Sequence, residues 1–271
     1  MKKTDITVIL PTINEEENLK ILIPELIDVF FTKDELKYEI LVVDDGSTDN
    51  TVELIRKMNI ENNRVKIISR TATASLPSSI YEGIVSSNSE YVLWMDADGS
   101  MPVYDVKRLI DEQLKNPDTV IIGSRFVEGG GYKGTGTDKE KSLSKTIKNV
   151  YESEDSVLAV FLSKIFNSLL VFLLKSEVKD ITSGFIIGRK EYFKKDIFED
   201  ANYGDYFIFL VLSLMKRNIE IKEIGYVCLT RIAGYSKTSN SILDLFKKGL
   251  PYIKVAIMSR RKKWLLKTLI I

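Results

Sequence analysis

Two aspartates placed one residue apart give the strongest chemical signal in the sequence. Asp96 and Asp98 directly follow the apolar run Tyr91–Met95, so two carboxylates stand at the end of a strand that should be buried. Taking carboxylates out of water is costly, and two of them this close repel each other. A divalent cation removes the repulsion, and Mg²⁺ or Mn²⁺ prefers oxygen ligands and commonly bridges carboxylates to substrate phosphates. The spacing therefore predicts a Mg²⁺ or Mn²⁺ site, with helix capping or a surface turn as the alternative.

Two other polar loops follow apolar runs in the first half of the chain, at Pro11–Glu15 and at Asp44–Asp49. The carboxyl ends of parallel strands share one edge of a sheet, and in open α/β folds that edge carries the ligand site. We therefore expect all three loops to gather at one edge. Capping of the following helix by Ser47 or Asp49 is an alternative explanation for the second loop.

The elements that must position these loops alternate between strand and helix through the first 125 residues. Short apolar or β-branched runs predict strands at Ile6–Leu10, Glu39–Val43, Val65–Ile68, Tyr91–Met95 and Val120–Ile122. Helical patterns lie between them at Glu15–Phe31, Thr51–Met58, Pro77–Ser86 and Val103–Lys115. This alternation predicts an α/β fold with a mostly parallel central sheet flanked by helices.

The second half of the chain has a less regular pattern. We expect a helix near 156–174, a strand and turn at 181–188, a helix near 206–217 and a strand near 219–229. Residues 129–149 are rich in Gly, Lys, Thr and Ser without apolar periodicity, which predicts a mobile loop. Polar residues interrupt the helix near 156–174, which favours a buried or interface-facing helix over one that spans a bilayer.

The composition limits the chemistry. The 271 residues include no histidine and one cysteine, Cys228, which excludes an intramolecular disulfide and a Cys/His zinc cluster. Acid–base chemistry must therefore use carboxylates, lysine, tyrosine or the substrate itself. The length suffices for one α/β domain followed by a tail.

Six short segments together resemble the signature segments of family 2 glycosyltransferases, and most of all the dolichol-phosphate mannose synthase branch. In chain order they are Pro11–Leu19, Leu41–Thr51, Met95–Pro102, Gly123–Gly131, Thr182–Phe185 and Arg231–Lys237. The resemblance implies a GT-A fold with a nucleotide-sugar half at 1–125, an acceptor half at 126–238 and a tail at 239–271. It also implies an inverting, metal-dependent hexosyltransferase that moves a hexose, mannose from GDP-mannose first of all, to a polyprenyl or dolichyl phosphate.

The same resemblance implies roles for residues of the donor site. Those that it places around the base and ribose of the nucleotide are Pro11, Asn14, Glu15, Asp44 and Asp45. Those that it places at the diphosphate are Asp96, Ala97 and Asp98. The two aspartates are the implied metal ligands, and Asp98 is also an implied catalytic residue.

Phosphate and acceptor contacts are implied further along the chain. Arg125 matches a phosphate-contacting arginine and is the second implied catalytic residue, while Arg231 and Lys237 match a second phosphate clamp. Arginine suits this role because its planar fork binds phosphate oxygens bidentately. Ser183 and Gly184 match a turn that lines the acceptor side. The alternatives are a surface ion pair for Arg125, ordinary tail basicity for Arg231 and Lys237, and a plain turn for the last two.

The donor and the acceptor remain open at this point. Gly99-Ser100 stands where the branch carries Leu-Gln and is similar to the related dolichol-phosphate glucosyltransferases, so UDP-glucose is the alternative donor. Residues 132–148 lack the Trp and Arg of the branch, so no acceptor-loop residue is assigned. A phosphate acceptor, with a second pKa of about 6, needs no general base. A sugar or protein hydroxyl would need one, and Asp205 is the candidate. A nucleotide-sugar-binding scaffold is the non-enzyme alternative.

The C-terminal segment is both basic and apolar. From Arg231 to Ile271, ten Lys and Arg stand against one acid, a charge of +9, whereas the rest of the chain carries −8. Apolar residues beside clustered cations, with Trp264 among them, are typical of a segment that lies on an anionic membrane. We expect residues 239–271 to form an amphipathic helical tail on the cytoplasmic face of a membrane. Packing on the protein's own body is the alternative, and no motif points to nucleic acid.

Overall fold

A seven-stranded sheet lies at the centre of the computed structural model, which describes residues 4–31, 36–132, 157–233 and 252–253. The strands are β1 (Thr4–Thr12), β2 (Tyr38–Asp44), β3 (Val65–Ser69), β4 (Ser89–Trp94), β5 (Val120–Ser124), β6 (Gly131–Tyr132), β7 (Ile186–Arg189), β8 (Ile221–Gly225) and β9 (Val227–Cys228). The order across the sheet is β3-β2-β1-β4-β7-β5-β8, and β6 pairs with β9 separately. All pairs in the large sheet are parallel except those of β7, which runs antiparallel to β4 and β5.

Helices cover both faces of this sheet. They are α1 (Glu16–Phe31), α2 (Thr51–Glu61), α3 (Leu76–Ser86), α4 (Val103–Lys115), α5 (Val157–Leu174), α6 (Asp196–Glu199) and α7 (Tyr206–Lys216), with a 3₁₀ turn at Lys190–Tyr192. Alternate side chains of a strand point to opposite faces. Accordingly Val8 belongs to the core cluster that contains residues of α1, α2 and α4, whereas its neighbour Ile9 belongs to the cluster that contains residues of α3, α5 and α7. The predicted α/β architecture is confirmed.

The register of β1, β2 and β3 brings their carboxyl ends level, and β4 ends on the same side of the sheet. Thr12 of β1 lies opposite Asp44 of β2, and Asp44 lies opposite Ser69 of β3. On the other side of β1, Ile9 lies opposite Trp94, the last residue of β4. The loops that follow these strands therefore leave the sheet at the same edge, as the alternation of elements predicted.

Two local predictions are wrong in detail. The strand expected near 219–229 is divided at Tyr226: its N–H still donates to Ser124 O of β5 (3.0 Å), but its carbonyl accepts the N–H of Gly131 in β6 (3.0 Å). The chain continues in β9, outside the main sheet. Asp49 is not the N-cap of α2: Asn50 holds that position, and Asp49 Oδ1 accepts the N–H of Thr51 (3.0 Å).

Helix α5 has one buried and one exposed face. Leu170 and Leu174 pack into the core, whereas Phe172 is 72% exposed. Among the described residues, none of the helices is long and apolar enough to cross a membrane. The predicted loop at 129–149 is described only as far as Tyr132, and the predicted tail only at 252–253.

Candidate active site

A cavity of about 250 Å³ opens at the carboxyl edge of the sheet, between the loops that follow β1, β2 and β4. Its walls include seven of the residues to which the sequence assigned a role: Pro11, Glu15, Asp45, Asp96, Ala97, Asp98 and Arg231. The three polar loops thus meet where the sequence expected them to meet. The remaining wall is formed by α3, with the residues before it, and by Asn202 and Tyr203.

Asn14 joins the β1 loop to the β2 loop and is not among the described residues that line the cavity. Its Oδ1 accepts the backbone N–H of Thr48 (2.7 Å), and its own N–H donates to Ser47 Oγ (2.8 Å). Asn14 has φ +54°, a left-handed conformation that Asn tolerates better than most residues. In this structure Asn14 therefore links the β1 loop to the β2 loop through hydrogen bonds.

The adjacent aspartates Asp44 and Asp45 do different things. Asp44 turns inward, and its Oδ2 accepts the N–H groups of Gly46 and Ser47 (3.2 Å each), while the described part of the chain supplies no donor to its Oδ1. Asp45 faces the cavity, accepts the N–H of Ser75 (2.5 Å) and forms an ion pair with Arg70. Asp44 therefore shapes the turn, and Asp45 is the one in reach of a ligand.

Arg70 was missed by the sequence analysis. It directly follows β3, and besides Asp45 it contacts Glu82 (Nε to Oε2, 3.0 Å) and Ser79 Oγ (3.1 Å). This network ties the β2 loop to α3 and fixes the direction of the Asp45 carboxylate. Its position could have indicated a role in the site, because Arg70 follows β3, the next strand of the same parallel sheet.

The paired aspartates lie at the end of β4. Asp96 is exposed into the cavity, whereas Asp98 is buried and its Oδ1 accepts the N–H of Ser100 (2.9 Å). Although the cavity leaves Asp96 open to water, the surrounding protein atoms partly desolvate its carboxyl; this desolvation first, and then the Asp98 charge, raise its pKa to about 7 against the lowering effect of Arg231 and Arg125. A nearby cation is therefore favourable for both groups.

The pair fits a divalent cation that is shared with a ligand. No group of three or more Asp, Glu, Cys or His side chains that could hold a metal ion occurs in the described part of the chain. Asp96 and Asp98 would supply two oxygen ligands, and a diphosphate and water would complete the shell. Mg²⁺ is commonly bound in this way, by one or two carboxylates together with substrate phosphates.

Arg231 reaches the same place from the other end of the chain. Its Nη2 lies 3.2 Å from Asp98 Oδ2. The backbone on either side of it is fixed, because Leu229 N–H donates to Ser100 O (2.8 Å) and Ile232 N–H donates to Asp98 O (3.0 Å). Lys237, its predicted partner, lies outside the described residues.

Arg125 forms a buried ion pair with Asp180. Its Nε and Nη2 donate to the two oxygens of the fully buried Asp180 (2.9 and 2.8 Å), and Nη2 also donates to Thr182 O (3.0 Å). Desolvation lowers the pKa of Arg125, but the Asp180 charge and hydrogen bonds outweigh it, and the pKa lies well above its ordinary value. Arg125 is not among the described residues that line the cavity. Asp180 was missed, although it precedes the Thr182–Phe185 motif by two residues.

Ser183 and Gly184 form a tight turn behind the cavity. The Ser183 hydroxyl donates to Gly123 O and accepts the N–H of Phe185 (3.2 Å), which fastens the turn to β5. Gly184 has φ +73°, a conformation that favours glycine. Phe185 is fully buried. These contacts match the plain-turn alternative, and neither Ser183 nor Gly184 is among the described cavity-lining residues.

The turn before α7 supplies the last wall of the cavity. Asp205 is buried, and its Oδ1 accepts the N–H groups of Asn202 (3.0 Å) and Tyr203 (2.8 Å). Asn202 and Tyr203 were missed as cavity residues, and their closeness to Asp205 in the sequence was the available signal. Asp205 holds the turn, while the two residues that it holds face the cavity.

Comparisons with known proteins agree with this geometry. The family model for glycosyl transferase family 2 matches residues 7–197. The dolichol-phosphate mannosyltransferase of Pyrococcus furiosus is 29% identical over 232 residues, which cover 86% of this chain and 58% of that protein. The polyprenol monophosphomannose synthase of Mycolicibacterium smegmatis is 30% identical over 240 residues, which cover 86% of this chain and 81% of that protein. The chain thus spans somewhat more than half of the first relative and most of the second.

Among solved structures, the glucosyl-3-phosphoglycerate synthase of Mycobacterium tuberculosis has a similar fold. Its complex with Mn²⁺, UDP-glucose and phosphoglyceric acid gives a TM-score of 0.61 at 17% identity, with 95% of this chain and 79% of that chain covered. Its complex with Mg²⁺ and UDP gives a TM-score of 0.59 at 15% identity, with 95% and 79% covered. At these identities the likeness shows the shared GT-A-like fold alone.

Proposed function

The chain belongs to glycosyl transferase family 2, and from that premise we propose that it transfers a hexose from a nucleotide diphosphate sugar to a polyprenyl phosphate. Mannose from GDP-mannose is the proposed donor. The reaction is proposed to invert the anomeric centre, to depend on Mg²⁺ or Mn²⁺ and to take place on the cytoplasmic face of a membrane. The names of the two curated relatives, a dolichol-phosphate mannosyltransferase and a polyprenol monophosphomannose synthase, support mannose as the sugar and a polyprenyl phosphate as the acceptor.

The observation that carries the proposal is the meeting of Asp96, Asp98 and Arg231 in one cavity. Two carboxylates and a guanidinium within one small cavity suit a cation-bound diphosphate, whose remaining negative charge the arginine can contact bidentately. When bound, the cation supplies a Lewis acid that neutralises charge on the departing diphosphate. Arg231 would add a second positive charge near the position where the negative charge grows.

The acceptor is proposed to be a phosphate because Asp205, the base that the sequence predicted for a hydroxyl acceptor, is occupied within its own turn. Asp205 is buried, accepts two backbone N–H groups and is not among the described residues that line the cavity. A phosphate monoester is already ionised near neutral pH, so that it can attack without losing a proton. Attack on the face of the sugar opposite the leaving group then gives inversion.

The test is a transfer assay with the full chain, Mn²⁺ and radiolabelled GDP- and UDP-sugars. Each donor is offered to a short polyprenyl phosphate in detergent, to 3-phosphoglycerate and to a soluble glycan. Label that enters the organic phase with a polyprenyl phosphate, and from GDP-mannose above other donors, is the expected result. Label that enters only 3-phosphoglycerate or the soluble glycan would refute the lipid acceptor. Donor binding without transfer to any acceptor would favour the scaffold.

A matched pair of double variants tests the metal. Asp96→Asn with Asp98→Asn should lower turnover by about 10³-fold or more, the cost of losing fixed electrostatic stabilisation of the leaving group. Glu90→Gln with Asp118→Asn removes two carboxylates that pair with Arg189 away from the cavity, and should leave turnover within about threefold. Full activity of the first variant, or of the wild type with a chelator, would refute the metal dependence.

A further inference from the structure

The proposed metal site gives Oδ2 of Asp98 two partners, Arg231 and the divalent cation. Of the two Asp98 oxygens, Oδ1 accepts the Ser100 N–H (2.9 Å) and Oδ2 lies 3.2 Å from Arg231 Nη2. A divalent cation held between Asp96 and Asp98 would need an Asp98 oxygen that faces the cavity. The backbone N–H of Ser100 is fixed in its turn, whereas the guanidinium belongs to a long side chain that is 26% exposed. Arg231 is therefore the partner that can leave.

We propose that Arg231 competes with the divalent cation for Asp98, so that the protein alone holds the cation weakly and the nucleotide diphosphate makes the site strong. This inference rests on the function proposed above. It assigns to Arg231 a second role beside phosphate contact, that of coupling the binding of the cation to the binding of the nucleotide.

The charges around the cavity support this exchange. Asp96, Asp98 and Glu15 bring three carboxylates to its walls, and the fourth, that of Asp45, is paired with Arg70. Of the described residues that line the cavity, Arg231 alone is positively charged. A cation that enters without a counter-ion places two positive charges beside Arg231, whereas one that arrives with a diphosphate brings negative charge for Arg231 to contact.

The backbone keeps Arg231 close enough to exchange partners. Leu229 and Ile232 are hydrogen-bonded to the backbone of the turn that carries Asp98 (2.8 and 3.0 Å), and the Ile232 side chain packs against Gly99 of the same turn. The main chain of Arg231 is thus fixed, and its side chain can swing from Asp98 to a phosphate without a rearrangement of the fold. Binding of either ligand then strengthens binding of the other by the same factor.

The experiment measures Mn²⁺ affinity by electron paramagnetic resonance of free Mn²⁺, without nucleotide and with saturating GDP or UDP. Arg231→Gln removes the charge, and Arg231→Lys keeps it. We expect Arg231→Gln to bind Mn²⁺ alone about tenfold more tightly than the wild type, because a neighbouring positive charge is removed. We also expect the gain in Mn²⁺ affinity on adding nucleotide to fall by about tenfold or more. Arg231→Lys should stay close to the wild type for Mn²⁺ alone.

Arg217→Gln is the matched control, because it makes the same charge change at the far end of α7, where the exposed Arg217 side chain contacts Tyr192, through its carbonyl and its ring, and not the cavity. It should leave both affinities unchanged. The competition would be overturned if folded Arg231→Gln bound Mn²⁺ alone no more tightly than the wild type. The proposed function would stay intact in that case, provided that the wild type binds Mn²⁺ normally in the presence of nucleotide. A folded wild type that binds no Mn²⁺ even with nucleotide would overturn both.

Discussion

The buried ion pair between Arg125 and Asp180 allows a quantitative test of how much this pair contributes to the stability of the fold. Asp180 accepts three hydrogen bonds from Arg125: from its backbone N–H (2.9 Å), its Nε (2.9 Å) and its Nη2 (2.8 Å). Asp180 Oδ1 also lies 3.3 Å from the Thr182 N–H that donates to it. We predict that Asp180→Asn destabilises the fold strongly, because it leaves the guanidinium without its counter-charge.

The size of the loss follows from burial. Removing one partner of a buried ion pair costs about 3–5 kcal/mol, because the other charge stays in a poorly solvated place. The Asp180 side chain is 0% exposed and that of Arg125 is 13% exposed, so water reaches only a small part of the released guanidinium. The asparagine oxygen can still accept one of the hydrogen bonds. These two effects place the expected loss at the lower end, about 3 kcal/mol in the free energy of unfolding.

The assay is urea unfolding of the full chain, followed by circular dichroism. A double-mutant cycle with Arg125→Gln and Asp180→Asn should give a coupling free energy of about 2 kcal/mol, since the second change removes the charge that the first leaves unpaired. Glu199→Gln is the control: its pair with Lys195 is exposed on both sides, and its loss should change stability by about 0.5 kcal/mol or less.

A loss below about 1 kcal/mol for Asp180→Asn would refute this reasoning, because that is the value of an exposed pair. The activity of the variants then decides how Arg125 acts. If the guanidinium is a structural anchor, Arg125→Lys should lower activity through stability, with the KM for the donor unchanged at a temperature where the variant is folded. A raised KM without loss of stability would instead support the predicted phosphate contact.

Three other substitutions test the turns around the cavity. Asn14→Ala removes the acceptor for the Thr48 N–H and should cost about 1–2 kcal/mol and raise the donor KM, measured by unfolding and by initial rates. Gly204→Ala should lower kcat and lower the free energy of unfolding by about 1–3 kcal/mol, because an added Cβ would meet the hydroxyl of Tyr252. Adding Tyr252→Phe, which removes that hydroxyl, should restore part of the lost kcat and part of the lost stability. Asp205→Asn should keep kcat within about tenfold, because its role is to accept backbone N–H groups; loss of turnover with normal donor binding would contradict that role and favour a hydroxyl acceptor.

Much of the site could be predicted because it depends on local patterns. Short apolar runs followed by polar turns specify parallel strands and the loops at their carboxyl ends, and this suffices to bring Asp45 and Asp96 to one cavity. Fixed spacing along the chain also places Asp98 within the same turn as Asp96. The resemblance to family 2 adds Arg231, which lies far away in sequence and which periodicity alone would not connect to the others.

The rest could not be predicted because it depends on where β7 inserts. This short strand runs antiparallel between β4 and β5, and so carries Asp180 and Thr182 to the side of Arg125. No local pattern specifies this insertion, since a strand as short as Ile186–Arg189 could equally well pair at an edge of the sheet. The structural roles of Asp44 and Asn14, which accept backbone N–H groups within and between loops, were missed for a similar reason. These roles depend on the direction in which each side chain points, and a run of polar residues in the sequence does not show that direction.

The way in which Arg231 is held makes it unusually suitable for substitution. Its neighbours are fixed through main-chain groups: Ile232 N–H binds Asp98 O (3.0 Å), and the Ala233 N–H binds Asn18 Oδ1 of α1 (2.8 Å), with Asn18 Nδ2 donating back to Ala233 O (3.3 Å). Because none of these contacts uses the guanidinium, replacing Arg231 leaves the path of the chain in place. A change in Mn²⁺ or nucleotide affinity in Arg231→Gln therefore reports the removed charge and not a displaced loop.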